Sequence, residues 1–84
     1  MEQQKAFIVK KLFVHHFIGG KHTAIEHLSK GIAGHLKGGV KHAASELVKE
    51  GILIIKPTSY GLQVSLNPEK MEEIKYYLQS FYKI

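Results

Sequence analysis

The chain has 84 residues, a formal net charge of +5 and no Cys, Trp, Arg or Asp, so its charge comes entirely from 12 Lys and 7 Glu. That length fits one domain, and the missing thiols exclude a disulfide framework, a thiolate metal site and a cysteine nucleophile. The excess charge sits in residues 1–49, with eight Lys against three Glu, whereas residues 50–84 hold four of each; such one-sided basicity points to a polyanionic partner.

The first apolar segment predicts a helix over about 3–17, with Ile8, Val9, Leu12, Phe13 and Phe17 in a broad arc around His16. Phe7 and Val14 fall outside that arc and need a second partner, either the last helix or another copy of the chain. Ile18 to His22 breaks the helix and offers a short extended segment. Thr23-Ala24-Ile25-Glu26 then fits a capping box, in which Thr23 accepts from the amide three residues on and Glu26 reaches back, predicting a second helix over about 24–30. From Ser29 to Gly39 four glycines imply an irregular or 3-10 segment, with Ile32 and Leu36 toward the core and His35 and Lys37 free to face a ligand.

Val40, Ala43, Ala44, Leu47 and Val48 recur at helical spacing, predicting a third helix over about 38–50 whose opposite side carries Lys41, His42, Ser45 and Lys49. Gly38 and Gly39 open its amides toward an anion, and Gly51 stands where a helix end favours positive φ. Ile52 to Ile55 and the alternating Leu62, Val64 and Leu66 predict two strands. They are joined by the Pro-, Ser- and Gly-containing turn Lys56 to Gly61, making a hairpin over 52–66. Asn67-Pro68 is a helix start, and Met71, Ile74, Tyr77, Leu78, Phe81 and Tyr82 share a face over about 68–83. That last helix either packs on the first or joins two chains. The pattern predicts a single α+β domain over 1–84, mainly α: a three-helix core, a β-hairpin wing and an added C-terminal helix.

Gly20-Lys21-His22-Thr23, His35-Leu36-Lys37-Gly38, Leu47-Val48-Lys49-Glu50-Gly51 and the run from Lys56-Pro57-Thr58-Ser59-Tyr60-Gly61 to Asn67-Pro68 span nearly the whole chain. In these phrases the sequence resembles small archaeal winged helix-turn-helix DNA-binding proteins. The resemblance implies a recognition helix in the major groove of double-stranded DNA and a wing on the backbone. At the matching positions Lys41, His42, Ser45 and Lys49 of the helix and Thr58, Ser59 and Tyr60 of the wing would touch the nucleic acid; Lys37, spaced four and twelve residues before Lys41 and Lys49, extends that stripe, and Lys21, Thr23 and His35 are further candidate contacts. That family often uses Arg at such places; with Lys instead, bidentate guanine reading is weaker and base discrimination lower.

The six histidines lack the i, i+4 pairing of a helical chelate and no Cys or Asp completes a ligand set, so no metal or other cofactor is expected. Gly19-Gly20-Lys21-His22-Thr23 fails as a phosphate loop, since His15 and His22 replace the glycine and the hydroxyl residue of that motif. No nucleophile, base and orienter set emerges, so the chain reads as a non-enzyme. No apolar run approaches the roughly 20 residues of a membrane span, and Met1-Glu2-Gln3-Gln4 does not begin a signal peptide, so a cytoplasmic protein without membrane contact is expected. The expectation is a regulator or chromatin-type protein acting as a homodimer through Phe7, Val14, Tyr77, Phe81 and Tyr82. The competing expectation is a protein-interaction module of the same fold that touches no nucleic acid.

Overall fold

The computed structural model describes residues 2–30 and 37–83, residue 37 by its backbone alone. The expectations for Ile32, His35, Leu36 and the Lys37 side chain fall outside the described residues. Helix α1 spans Glu2–Val14, strand β1 Thr23–Ala24, helix α2 Lys37–Lys49, strand β2 Leu53–Thr58, strand β3 Gly61–Leu66 and helix α3 Met71–Phe81. Single 3-10 turns occupy Ile25–Ser29 and Pro68–Lys70. The fold is α+β and mainly helical.

The sheet is antiparallel in the order β1-β3-β2, so the last strand is central. Val64 and Leu66 of β3 are fully buried against Leu12 of α1, Leu47 of α2 and Ile74 of α3 in one apolar cluster. Each such side chain withdraws from water for about 1.5–3 kcal/mol. Helix α1 packs on both α2 and α3 and forms the middle of the helical layer. Gly39 faces the Gln4 side chain of α1, where a Cβ would sit 3.4 Å from Gln4 Nε2, an ordinary contact distance. Gly39 is therefore turned toward α1, not presented to an anion, and of the two glycines only Gly38 is exposed.

Helix α1 stops three residues earlier than its apolar pattern implies. His16 adopts φ +62°, its amide donates to the Phe13 carbonyl at 3.0 Å, and the Phe17 amide donates to the Leu12 carbonyl at 2.9 Å. This is a Schellman cap, with His16 in the left-handed position and Phe17 packed back on the core. His16 is thus exposed, not framed by an apolar arc. The same cap ends α2, where Gly51 at φ +79° donates to Val48 and Ile52 donates to Leu47. Here glycine meets the conformational demand without a Cβ.

The predicted second helix is replaced by β1 and a five-residue 3-10 turn. Thr23 pairs with Val64 and Ala24 with Gln63, satisfying the edge of β3. The Thr23 hydroxyl bonds to His27 Nδ1 at 2.7 Å and is not a helix cap. The short extended stretch expected at Ile18 to His22 contributes only a parallel bridge from Ile18 to Leu66, so the regular first strand lies later.

Strand β2 runs through Lys56 and Pro57, leaving only Ser59 and Tyr60 as the hairpin loop. Pro57 is tolerated because β2 is an edge strand whose missing amide can face away from the ladder. Thr58 Oγ1 donates to the Gly61 carbonyl at 2.7 Å and accepts from the Tyr60 amide at 3.2 Å. After the hairpin, Asn67 accepts from the Glu69 amide at 3.0 Å and its own amide group donates to the Gly51 carbonyl at 2.9 Å. One side chain therefore starts the C-terminal helical segment and ties it to the end of α2.

Candidate nucleic-acid interface

Helix α2 divides sharply. Val40, Ala43, Ala44 and Leu47 are buried, while Lys41, His42, Ser45 and Lys49 are exposed on the other side. The i, i+4, i+8 spacing of Lys41, Ser45 and Lys49 aligns them along one edge of the helix. Glu46, absent from the sequence expectation, shares this region and pairs with Lys49 at 3.3 Å. An exposed i, i+3 pair of this kind is weak and leaves the Lys49 ammonium exchangeable toward a stronger anion. The sequence signal for it was the spacing of Glu46 and Lys49 itself.

Beside that edge, a groove of about 600 Å³ lies between α2, the 3-10 turn and the sheet. Val40, Ala44, Val48, Ile55 and Val64 make it apolar, and Lys41, Ser45, Lys49, Glu26 and Ser29 supply its polar atoms. Glu26 and Ser29 reach the groove from the 3-10 turn of residues 25–29.

The hairpin tip is fully presented. Ser59 is exposed and Tyr60 is 93% exposed, so its ring does not pack on Pro57. Thr58 is half-buried and its hydroxyl is committed to the turn. Lys56 is exposed too, and it pairs across the ladder with Gln63, on the sheet face opposite Ile55 and Val64. The strand alternation would have assigned Lys56 to that face had the strand been extended through the turn.

Lys21 is exposed just before β1, and the adjacent His22 Nδ1 lies 3.2 Å from Gln63 Oε1. Thr23 is buried, with 9% of its surface exposed, and its hydroxyl is engaged with His27, so it does not stand out on the surface beside Lys21 as a contact. Among the residues proposed to join two chains, Tyr77 is 5% exposed and belongs to the core of its own chain. Phe7 and Tyr82 are half-buried, with Lys11 Nζ 5.7 Å from the Phe7 ring and Lys10 Nζ 4.7 Å from the Tyr82 ring. Val14 and Phe81 remain exposed, joined by Tyr76.

Among the described residues, no three His or Glu side chains converge as metal ligands, and no helix is long and apolar enough to cross a membrane. No family model, curated protein or solved structure matches the chain. Charge and geometry therefore carry the functional reading.

Proposed function

We propose that the chain is a winged-helix protein that binds double-stranded DNA, with α2 in the major groove and the β2–β3 hairpin as a wing on the backbone. It acts as a binding module and not as a catalyst, in a regulatory or chromatin-type role, and as a homodimer on DNA. The observation that carries this reading is the two-sidedness of α2: a core face of Val40, Ala43, Ala44 and Leu47, and an exposed edge of Lys41, His42, Ser45 and Lys49, followed at once by a hairpin. Lysine ammoniums are point charges suited to phosphates, so affinity rests mainly on the DNA backbone and base selectivity is modest.

The test is a duplex titration at two salt concentrations. Binding whose logarithmic affinity falls linearly with log salt supports the reading; no binding at low salt overturns it. One observation favours a second reading. The apolar groove flanking α2 is a seat for a partner's apolar side chains, as a protein-interaction module would need. Absence of duplex binding together with retained folding selects that reading.

A further inference from the structure

The basic charge of residues 1–49 is not confined to α2. On α1, two adjoining hollows of about 360 and 280 Å³ open toward the 3-10 turn, and both are lined by Lys11, His15 and Lys30. His27 joins them in the larger one, and among the described residues no acidic side chain lines either hollow. The Lys11 ammonium donates to the Lys30 backbone carbonyl at 2.8 Å, which spends one of its three N–H groups and holds the two lysines together. Burial, and then the neighbouring Lys30 charge, lower the Lys11 pKa from its ordinary value. Among the described residues, the ion pairs lie elsewhere, joining Lys5 to Glu2 and Glu50, and Lys49 to Glu46.

His27 completes the donor set. Its Nδ1 is engaged with the Thr23 hydroxyl at 2.7 Å, which leaves Nε2 for another partner. In the tautomer whose Nδ1 accepts from the Thr23 hydroxyl, the ring carries its proton on Nε2 and offers a donor. An oxyanion entering the cleft gains charge-assisted hydrogen bonds from Lys11, Lys30 and His27, and relieves the repulsion between the two ammoniums. A tetrahedral anion with several acceptor oxygens matches such a divergent set better than a single carboxylate.

We propose that the cleft of Lys11, His15, His27 and Lys30 is a phosphate-binding site, separate from the α2 edge. The shared chemistry is a phosphate oxyanion, supplied either by a nucleic-acid backbone or by a free phosphate. The proposal does not require that α2 bind DNA.

The test is a titration of the isotope-labelled full chain with inorganic phosphate at fixed pH, followed by NMR and compared with sodium chloride of equal ionic strength. Saturable shifts of the His15 and His27 rings and the Lys30 amide are expected with phosphate and not with chloride. Lys11→Met with Lys30→Gln should weaken phosphate binding roughly tenfold or more, from loss of two charge-assisted contacts, while Lys41→Ala leaves it unchanged. Equal shifts with chloride, or undiminished phosphate binding in the folded double variant, overturn the proposal. If the double variant does not fold, Lys30→Gln alone gives the same comparison, because its side chain is exposed. A duplex that shifts the same rings and blocks phosphate identifies the backbone as the source. Phosphate binding untouched by duplex identifies a free phosphate, and persists even if the α2 reading fails.

Discussion

The ammonium of Lys5 lies 2.6 Å from the carboxylate of Glu50 and joins the first turns of α1 to the end of α2 across 45 positions of sequence. Lys5 is 6% exposed, and a charge so withdrawn from water depends on its partner. Glu50→Gln takes the carboxylate charge away from the buried ammonium, leaving an amide oxygen and Glu2 at 3.5 Å, and should cost about 1–3 kcal/mol. Lys5→Met removes the charge and keeps the volume, so it should cost less. Thermal unfolding decides the order; equal or reversed losses would show that the pair contributes little.

The same pair sets a pH dependence. The Glu50 hydrogen bond holds the Lys5 pKa above its ordinary value of 10.5, outweighing the opposing effect of burial. The folded state then holds the proton more tightly than the unfolded chain. This stabilisation is complete below about pH 10.5 and is lost as pH rises through the higher folded value. Wild type should therefore lose stability above that pH more steeply than Lys5→Met. Parallel curves would contradict the linkage.

His16 and Gly51 occupy the same position in two equivalent helix caps, at φ +62° and +79°. His16→Gly should stabilise the protein by about 0.5–1 kcal/mol, because glycine enters the left-handed region without a Cβ clash. Gly51→Ala should destabilise it by about 1 kcal/mol, chiefly through φ, since the nearest atom to the new Cβ is the mobile Lys70 Cε at 3.3 Å. Denaturant unfolding of both variants measures the two signs. A fall in stability for His16→Gly would mean that the imidazole has a role in the cap.

Lys41→Ala should flatten the slope of log affinity against log salt by about one unit with little change in stability, since the side chain is exposed. Lys49→Ala should act less strongly, because Glu46 already offsets that charge, and Glu46→Gln should tighten duplex binding. Tyr60→Ala, at a 93% exposed tip, should weaken binding and leave the melting temperature unchanged. Unaltered affinity in all four variants would turn the assignment toward the protein-interaction reading.

Self-association, if it uses the outer faces of the terminal helices, must use Val14, Tyr76 and Phe81, which are 51%, 56% and 37% exposed. Sedimentation equilibrium at micromolar concentration should give twice the 9.5 kDa chain mass, and Phe81→Glu should return it to one. A single-chain mass for the wild type removes the dimer. Phe81→Ala serves as a milder check, since it deletes the contact without adding charge.

Elements whose signals are local can be read from the chain before it folds. The α2 period ending at Gly51, the two strands of the hairpin and the Asn67-Pro68 start all follow from interactions within four or five residues, and each recurs in the structure close to its expected place. The polar edge of α2 was legible for the same reason: once the core face is known, helical geometry assigns Lys41, Ser45 and Lys49 to the opposite side. Other features depend on long-range packing. Thr23 and Ala24 leave a plausible capping box because pairing with Val64 and Gln63 satisfies the buried edge of β3. Helix α1 ends at Val14 because Phe17 gains the core by folding back across His16, a turn that the helical period of the sequence does not reveal. Tyr77 packs inward since α1 and α3 cover each other, and Lys5 meets Glu50 only when α1 crosses α2. In each case burial of distant surfaces outweighs a local preference worth about 1 kcal/mol or less, and that competition is visible only once the chain has closed on itself.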